Sequence, residues 1–240
     1  MTDAAEPLKR AAAKAAVALV EDGMIVGLGS GTTSELFLEA LGERLADGLQ
    51  ITAVPTSDRV ARMARGRGVR VAELQDVPHV DLTIDGADEI QERRLDLIKG
   101  GGGALLREKL VAAAARRLCI IADRSKLVSQ LGERWAVPVV VVPFGWRQTA
   151  DRIRRLGGEP ALRHAGGSPH VTDDGLYILD CRFGPISDPG RLATALKSLL
   201  GVVEHGLFVG MVSQAIVAGE DGGVVLKAED RSSWREPSRA

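Results

Sequence analysis

Met24-Ile25-Val26-Gly27-Leu28-Gly29-Ser30-Gly31-Thr32-Thr33-Ser34 passes from an apolar run into glycines and hydroxyls, and then into a helical pattern from Ser34 to Leu45. A short strand that empties into glycine and opens a helix is the repeating unit of a wound α/β sheet. The same texture recurs over the first 125 residues. Further strands are expected at Ile51 to Val54, Val69 to Glu73, Asp81 to Ile84 and Leu118 to Ala122, with helices at Asp58 to Arg65 and Ala104 to Arg116. Each strand is rich in Val, Ile or Leu, and several end in Gly, Asp or Ser, where open α/β sheets place their ligand crevices.

Past about Gln130 the pattern changes. A β run from Trp135 to Val142 precedes a helix, Arg147 to Leu156, that ends at Gly157 and Gly158. Strand-like pieces follow at Ala161 to His164 and Leu176 to Arg182, then a helix from Pro189 to Leu200 and a strand at Val202 to Val203. The order β, α, β, β, α, β is that of a ferredoxin-like layer. The expected organisation is therefore a wound α/β domain, residues 1–130 and 207–228, interrupted by a smaller α+β domain, residues 131–206. The chain would return to the first sheet through Ala215 to Ala218 and Val224 to Lys227. Glu229 to Ala240 is polar and aperiodic, and reads as a loose tail.

Composition narrows the function classes. With 26% charged residues, a net charge of -1 and arginines interspersed with acids, the chain lacks the basic footprint of a nucleic-acid binder. The longest apolar stretch, Val137 to Trp146, holds two prolines and is too short to span a bilayer, so neither nucleic acid nor membrane is expected as a partner. The N-terminal segment reads as an amphipathic helix with acids ahead of its alanines, not as a leader, and a cytoplasmic location is expected. Cys119 and Cys181 sit among strand-like neighbours and read as buried thiols. His79, His164, His170 and His205 form no pair at ligand spacing, so no metal is expected.

Three loops carry candidate chemistry. Gly29 to Thr33 offers backbone N–H groups, hydroxyls and a helix N-terminus, the parts of a phosphate cradle. It departs from the dinucleotide fingerprint, which needs glycine where Thr32 stands, and lacks the Lys-Ser/Thr of a P-loop. Asp85-Gly86-Ala87-Asp88-Glu89 would set carboxylates at the same sheet edge, suited to sugar hydroxyls and proton transfer, although Asp-Gly is also an ordinary turn pair. Lys99-Gly100-Gly101-Gly102-Gly103 lies between an expected strand, Leu95 to Ile98, and a helix, where close backbone approach to a ligand explains the glycines better than a floppy spacer does. Such a loop can aim N–H groups at a developing oxyanion. Glu108 then falls about one turn into the helix, able to face the loop, although taken alone it would read as a solvated glutamate. Seven lysines stand against 24 arginines, yet Lys99, Lys109 and Lys126 fall in or near these loops. Retained lysines mark sites that need a compact point charge.

GLGSGTT, DGADE, KGGGGALLREK, ADRSK and GVVEHGLF, in this order, resemble the type A ribose-5-phosphate isomerase family over nearly the whole chain to about residue 227. The resemblance implies a Rossmann-like domain with a ferredoxin-like one, homodimers or homotetramers, no cofactor, and interconversion of ribose 5-phosphate and ribulose 5-phosphate in the non-oxidative pentose phosphate pathway. It also implies phosphate at Ser30, Gly31, Thr32 and Thr33 with Lys9 assisting, and sugar across Asp85, Gly86, Ala87, Asp88, Lys99, Gly100, Gly101, Gly102 and Lys126. Glu108 matches the family's proton acceptor. Lys99 and the Gly100 to Gly102 amides would stabilise the enediolate, while Asp85, alone or with Asp88, would exchange the hydroxyl proton and assist ring opening. Helix position and nearby lysines are expected to lower the Glu108 pKa, with water exclusion on binding acting the other way. Two rivals are a sugar-phosphate sensor, which would need a DNA-reading module, and a CoA transferase, which would form a glutamyl adduct.

Overall fold

The computed structural model describes residues 5–219 and the backbone of 222–227, so the expected tail lies outside the described residues. Helices α1 (Glu6–Val17), α2 (Thr32–Ala46), α3 (Asp58–Gly66) and α4 (Leu105–Ala114) occupy the first half. Among them run β1 (Ile25–Leu28), β2 (Thr52–Pro55), β3 (Arg70–Val71), β4 (Leu82–Asp85), β5 (Glu89–Gln91), β6 (Leu97–Ile98), β7 (Leu118–Asp123) and β8 (Leu127–Val128). The second half holds β9 (Val137–Val141), α5 (Trp146–Arg155), β10 (Glu159–Leu162), β11 (His164–Ala165), β12 (Ser168–Pro169) and β13 (Tyr177–Arg182). It ends with α6 (Pro189–Lys197), β14 (Val202–His205), β15 (Leu207–Phe208), β16 (Gln214–Gly219) and β17 (Gly222–Lys227).

The main sheet has the order β17-β16-β7-β4-β1-β2-β3, parallel except for β17. From β1 the chain winds outward through β2 and β3, then returns to β4 on the other side. The winding direction therefore reverses between β1 and β4, and the loops leaving their carboxyl ends diverge over a crevice. Period-two burial seats the sheet between its helices: Val26, Leu28, Leu82, Ile84, Cys119 and Ile121 share a core with Ala12, Ala16, Phe37 and Leu41 of α1 and α2. Ile120, Ala122, Ala215 and Val217 face the other way, toward Ala112 of α4 and Phe208. Gly27 lets α4 settle on the sheet, since a Cβ there would lie 2.3 Å from Thr83 Oγ1 and 2.7 Å from Val111 Cγ1.

The second half forms an antiparallel sheet of order β10-β13-β9-β14 carrying α5 and α6, the arrangement of a ferredoxin-like layer. Cys119 and Cys181 are buried free thiols, as expected. Another small sheet, β15-β6-β5-β8, joins the two halves. Only β6 of these four strands is foreshadowed in the sequence, because two or three residues are too few to show alternation. β6 is also shorter than expected: Leu95 adopts φ 54 in the turn that precedes it.

Glu89, expected at the ligand edge with Asp85 and Asp88, points elsewhere. Its buried carboxylate accepts the backbone N–H groups of Gly132 (2.6 Å), Arg134 (2.7 Å) and Trp135 (2.8 Å), pinning the turn that leads into β9. Glu89→Ala would strand three donors and should lower unfolding stability by about 3 kcal/mol in urea titrations, with little change in the denaturant slope.

Candidate active site

Four loops meet over the carboxyl ends of β1, β4 and β7. One cavity of about 110 Å³ is lined by Ser30, Gly31, Thr32 and Thr33 after β1 and by Gly86, Ala87 and Asp88 after β4. Lys99 to Gly102 after β6, Glu108 of α4, Lys126 after β7 and Lys9 of α1 complete its wall. Every expected site residue lines it except Asp85, which lies directly behind. A larger cleft of about 440 Å³ adjoins it and shares Ser30, Gly31, Thr32 and Gly102.

The loop after β1 presses on β4. A Cβ at Gly29 would lie 2.6 Å from the Asp85 Cα, so only glycine lets the two chain turns meet. Asp85, 1% exposed, accepts hydrogen bonds from the Gly86 N–H (2.7 Å) and the Ser34 hydroxyl (3.3 Å), and its Oδ2 is 2.9 Å from Lys99 Nζ. Lys99 also donates to the Gly86 carbonyl (2.6 Å) and sits 3.3 Å from Glu108 Oε2. Its ammonium lies 5.6 Å from the Phe208 ring centre. Asp88 faces the cavity and accepts the Gly101 N–H at 2.7 Å. Asp85 thus lies behind the cavity wall, against Lys99, whereas Asp88 lines the cavity itself.

The electrostatics reverse one expectation. The Glu108 carboxyl is pushed up to about 8, not lowered: burial is the largest cause, Lys99 opposes it, and Asp85 and Asp88 add repulsion. Helix position and lysines had suggested the reverse, but Glu108 is 4% exposed before any ligand binds, so desolvation wins. Its Oε2 receives no aligned hydrogen bond among the described residues. Burial likewise raises Asp85 against the pull of Lys99. Burial alone would lower the Lys99 ammonium, but Asp85 and Glu108 outweigh it and hold the amine charged. A buried cation thus stands between two buried carboxylates, each raised by desolvation and drawn down by the same ammonium.

Lys109, grouped with the site by its sequence position, turns away. Its ammonium binds Glu204 (2.9 Å) and the carbonyls of His205 and Leu207, 4.8 Å from the Phe208 ring centre. Burial lowers it to about 8. Its contacts fix α4 against β14 and β15, and so fix which face Glu108 presents. Ser34 and Phe208 escaped the sequence reading: a buried serine one residue past the loop gives no signal, although Phe208 lies within the GVVEHGLF motif.

Comparisons with known proteins agree with this geometry. Residues 52–222 match the family described as ribose 5-phosphate isomerase A (phosphoriboisomerase A). Ribose-5-phosphate isomerase A of Synechococcus sp. (strain JA-3-3Ab) is 54% identical over 220 residues, 91% of this chain and 96% of the relative. The solved ribose 5-phosphate isomerase A from Methanocaldococcus jannaschii superposes with a TM-score of 0.89 at 37% identity, covering 93% of this chain and 100% of the other. A D-ribose-5-phosphate isomerase solved in complex with phospho-erythronic acid gives a TM-score of 0.90 at 34% identity, covering 92% and 98%.

Infrared difference titration of the wild type against Glu108→Gln should reveal one carboxyl ionising near pH 8. Lys99→Met, which removes the opposing cation, should move that titration to higher pH. A carboxyl titrating near pH 4 would contradict the burial argument.

Proposed function

The chain belongs to the ribose 5-phosphate isomerase A family and interconverts D-ribose 5-phosphate and D-ribulose 5-phosphate; from that premise we propose how its residues divide the work. The observation that carries the proposal is a buried carboxylate, Glu108, held 3.3 Å from a buried ammonium, Lys99, at the wall of a cavity whose far side is a hydroxyl- and glycine-lined helix start.

Phosphate binds at Ser30 to Thr33 and the N-terminus of α2, with Lys9 beside it. Anchoring that end fixes the reacting carbons against Glu108. Ionised Glu108 removes the C2 proton of the open-chain aldose; the C–H electron pair forms the C1–C2 double bond and the carbonyl pair moves onto O1. The resulting cis-enediolate is met by Lys99 and the amides of the glycine loop, which interact more strongly with it than with the neutral carbonyl. The O2 proton passes to O1, and protonated Glu108 returns its proton to C1, leaving the ketose carbonyl at C2. A base near pKa 8 suits this double duty, since it can release its proton as readily as it takes one. Asp88, facing the cavity, assists ring opening, and Asp85 keeps Lys99 in place. The relative that holds phospho-erythronic acid, with a carboxylate at one end and a phosphate at the other, supports a site that reads both ends.

The same reading takes residues 1–130 with 207–228 and residues 131–206 as the two domains, and places the enzyme in the cytoplasm. It makes the active form a homodimer or homotetramer. Exposed Phe144 and Leu200, with Val142 beside them, offer an apolar patch for a second copy. Phe144→Lys should lower the sedimenting mass at micromolar concentration; an unchanged mass would exclude this patch from the interface.

Purified protein in chelator should convert ribose 5-phosphate rapidly, and Glu108→Gln should lose at least about a thousandfold in kcat while binding substrate within a few-fold of the wild type. Equal loss of turnover and binding would count against Glu108 as the base. Tight binding by the wild type without turnover would favour a sensor.

A further inference from the structure

The glycine loop is held from outside by a group that no motif marked. Arg163, in the link between β10 and β11, reaches across to the first half of the chain and donates from one guanidinium nitrogen to the carbonyls of Gly100 (2.8 Å) and Gly101 (3.1 Å). The rest of the guanidinium is locked by Asp180 of β13, Nε donating to Oδ2 at 2.9 Å and the second amino group to Oδ1. Arg163 and Asp180 side chains are 16% and 33% exposed, so the fork is largely withdrawn from water. On the far flank of the same hairpin, His170 packs on the loop: its Nε2 would lie 2.6 Å from a Cβ at Gly103, whose φ of +90 demands glycine.

Peptide planarity turns these contacts into a statement about the site. In a trans peptide the C=O and the following N–H point in opposite directions. The Gly100 carbonyl faces Arg163, and the next amide, Gly101 N–H, points the opposite way into Asp88 at 2.7 Å. The Gly101 carbonyl also faces Arg163, so the Gly102 N–H must be turned to the same side as Asp88, where Gly102 lines the cavity. That amide donates to no group among the described residues. The Gly100–Gly101 peptide is held further by the Gly103 N–H, which donates to the Gly100 carbonyl at 3.0 Å, and by Asp88. The Gly101–Gly102 peptide has Arg163 as its one partner among the described residues, and in a run of glycines it would otherwise flip at little steric cost.

We propose that Arg163, oriented by Asp180, is a positioning residue that fixes the peptide planes of Gly100 and Gly101, so that the Gly102 N–H stays aimed at the oxygen on which charge develops. It acts through the loop and touches no substrate atom. The inference rests on the enediolate reading above and adds that the second half of the chain orients the donors for that intermediate.

The test compares the full-length wild type with Arg163→Met and Asp180→Asn, measuring kcat, KM, inhibition by phospho-erythronic acid, whose carboxylate mimics the developing charge, and inhibition by inorganic phosphate. Arg163→Met should lose about ten- to a hundredfold in kcat with KM within twofold, and its inhibition constant for phospho-erythronic acid should rise in step. Inhibition by phosphate should not change, a split that mere loosening of the fold would not produce. Should Arg163→Met fail to fold, Asp180→Asn keeps the guanidinium but frees its plane, and should show the same split at about three- to tenfold. An active wild type whose variants keep full kcat, or lose kcat, KM and phosphate affinity together, overturns this inference alone. An inactive wild type overturns the enediolate reading and this inference with it.

Discussion

A single buried ammonium organises the centre of this protein. Lys99 Nζ is bonded to Asp85 and the Gly86 carbonyl, and lies within ion-pair distance of Glu108, with all three side chains almost wholly out of water. An unpaired charge at that depth would be prohibitively costly, and two adjacent carboxylates without a cation could not both ionise. With Lys99 between them, one carboxylate serves as a fixed counterion and the other is left with a pKa that a solvated glutamate never reaches. The aromatic face of Phe208, shared by Lys99 and Lys109, adds a weak, apolar support that takes no proton.

Everything that holds this triad comes from places the chain must visit anyway. Asp85 ends β4 and Lys99 follows β6, so backbone pairing sets their positions before their side chains meet. Glu108 is placed by the seating of α4 on the sheet, which Gly27 permits, and by the Lys109 contacts to β14 and β15 on the opposite side of the helix. Neighbouring residues therefore divide the labour: Glu108 faces the cavity and Lys109 secures the face that turns it there. The ferredoxin-like half contributes no group to the 110 Å³ cavity wall, yet Arg163 and Arg107 tie it there, Arg107 through Asp58 of α3 and Asp174 of the turn before β13.

How much of this was legible follows from what each signal encodes. The strand-to-glycine-to-helix transition at Gly27 to Ser34 gave the wound sheet, and the loop motifs gave the cavity, because backbone demands leave marks on composition. Arg163 left none, since its partners are main-chain carbonyls more than sixty residues away in sequence, and a carbonyl has no residue identity. The strands β5, β8 and β15 were too short for periodicity to reveal. The sign of the Glu108 shift was misjudged because lysines and helix position are visible in a sequence, whereas depth of burial is a property of the assembled fold.

That depth has a thermodynamic consequence. A carboxyl raised from 4.5 to about 8 binds its proton more tightly in the folded protein than in the unfolded chain. Between those two values the folded state holds a proton that the unfolded state has released, so stability falls as pH rises. Glu108 thus contributes stabilisation that is complete below its unfolded value and gone above its folded one, where the ionised form that the proposed proton abstraction requires prevails. The protein is therefore least favoured, with respect to this one residue, in the protonation state that the proposed mechanism starts from.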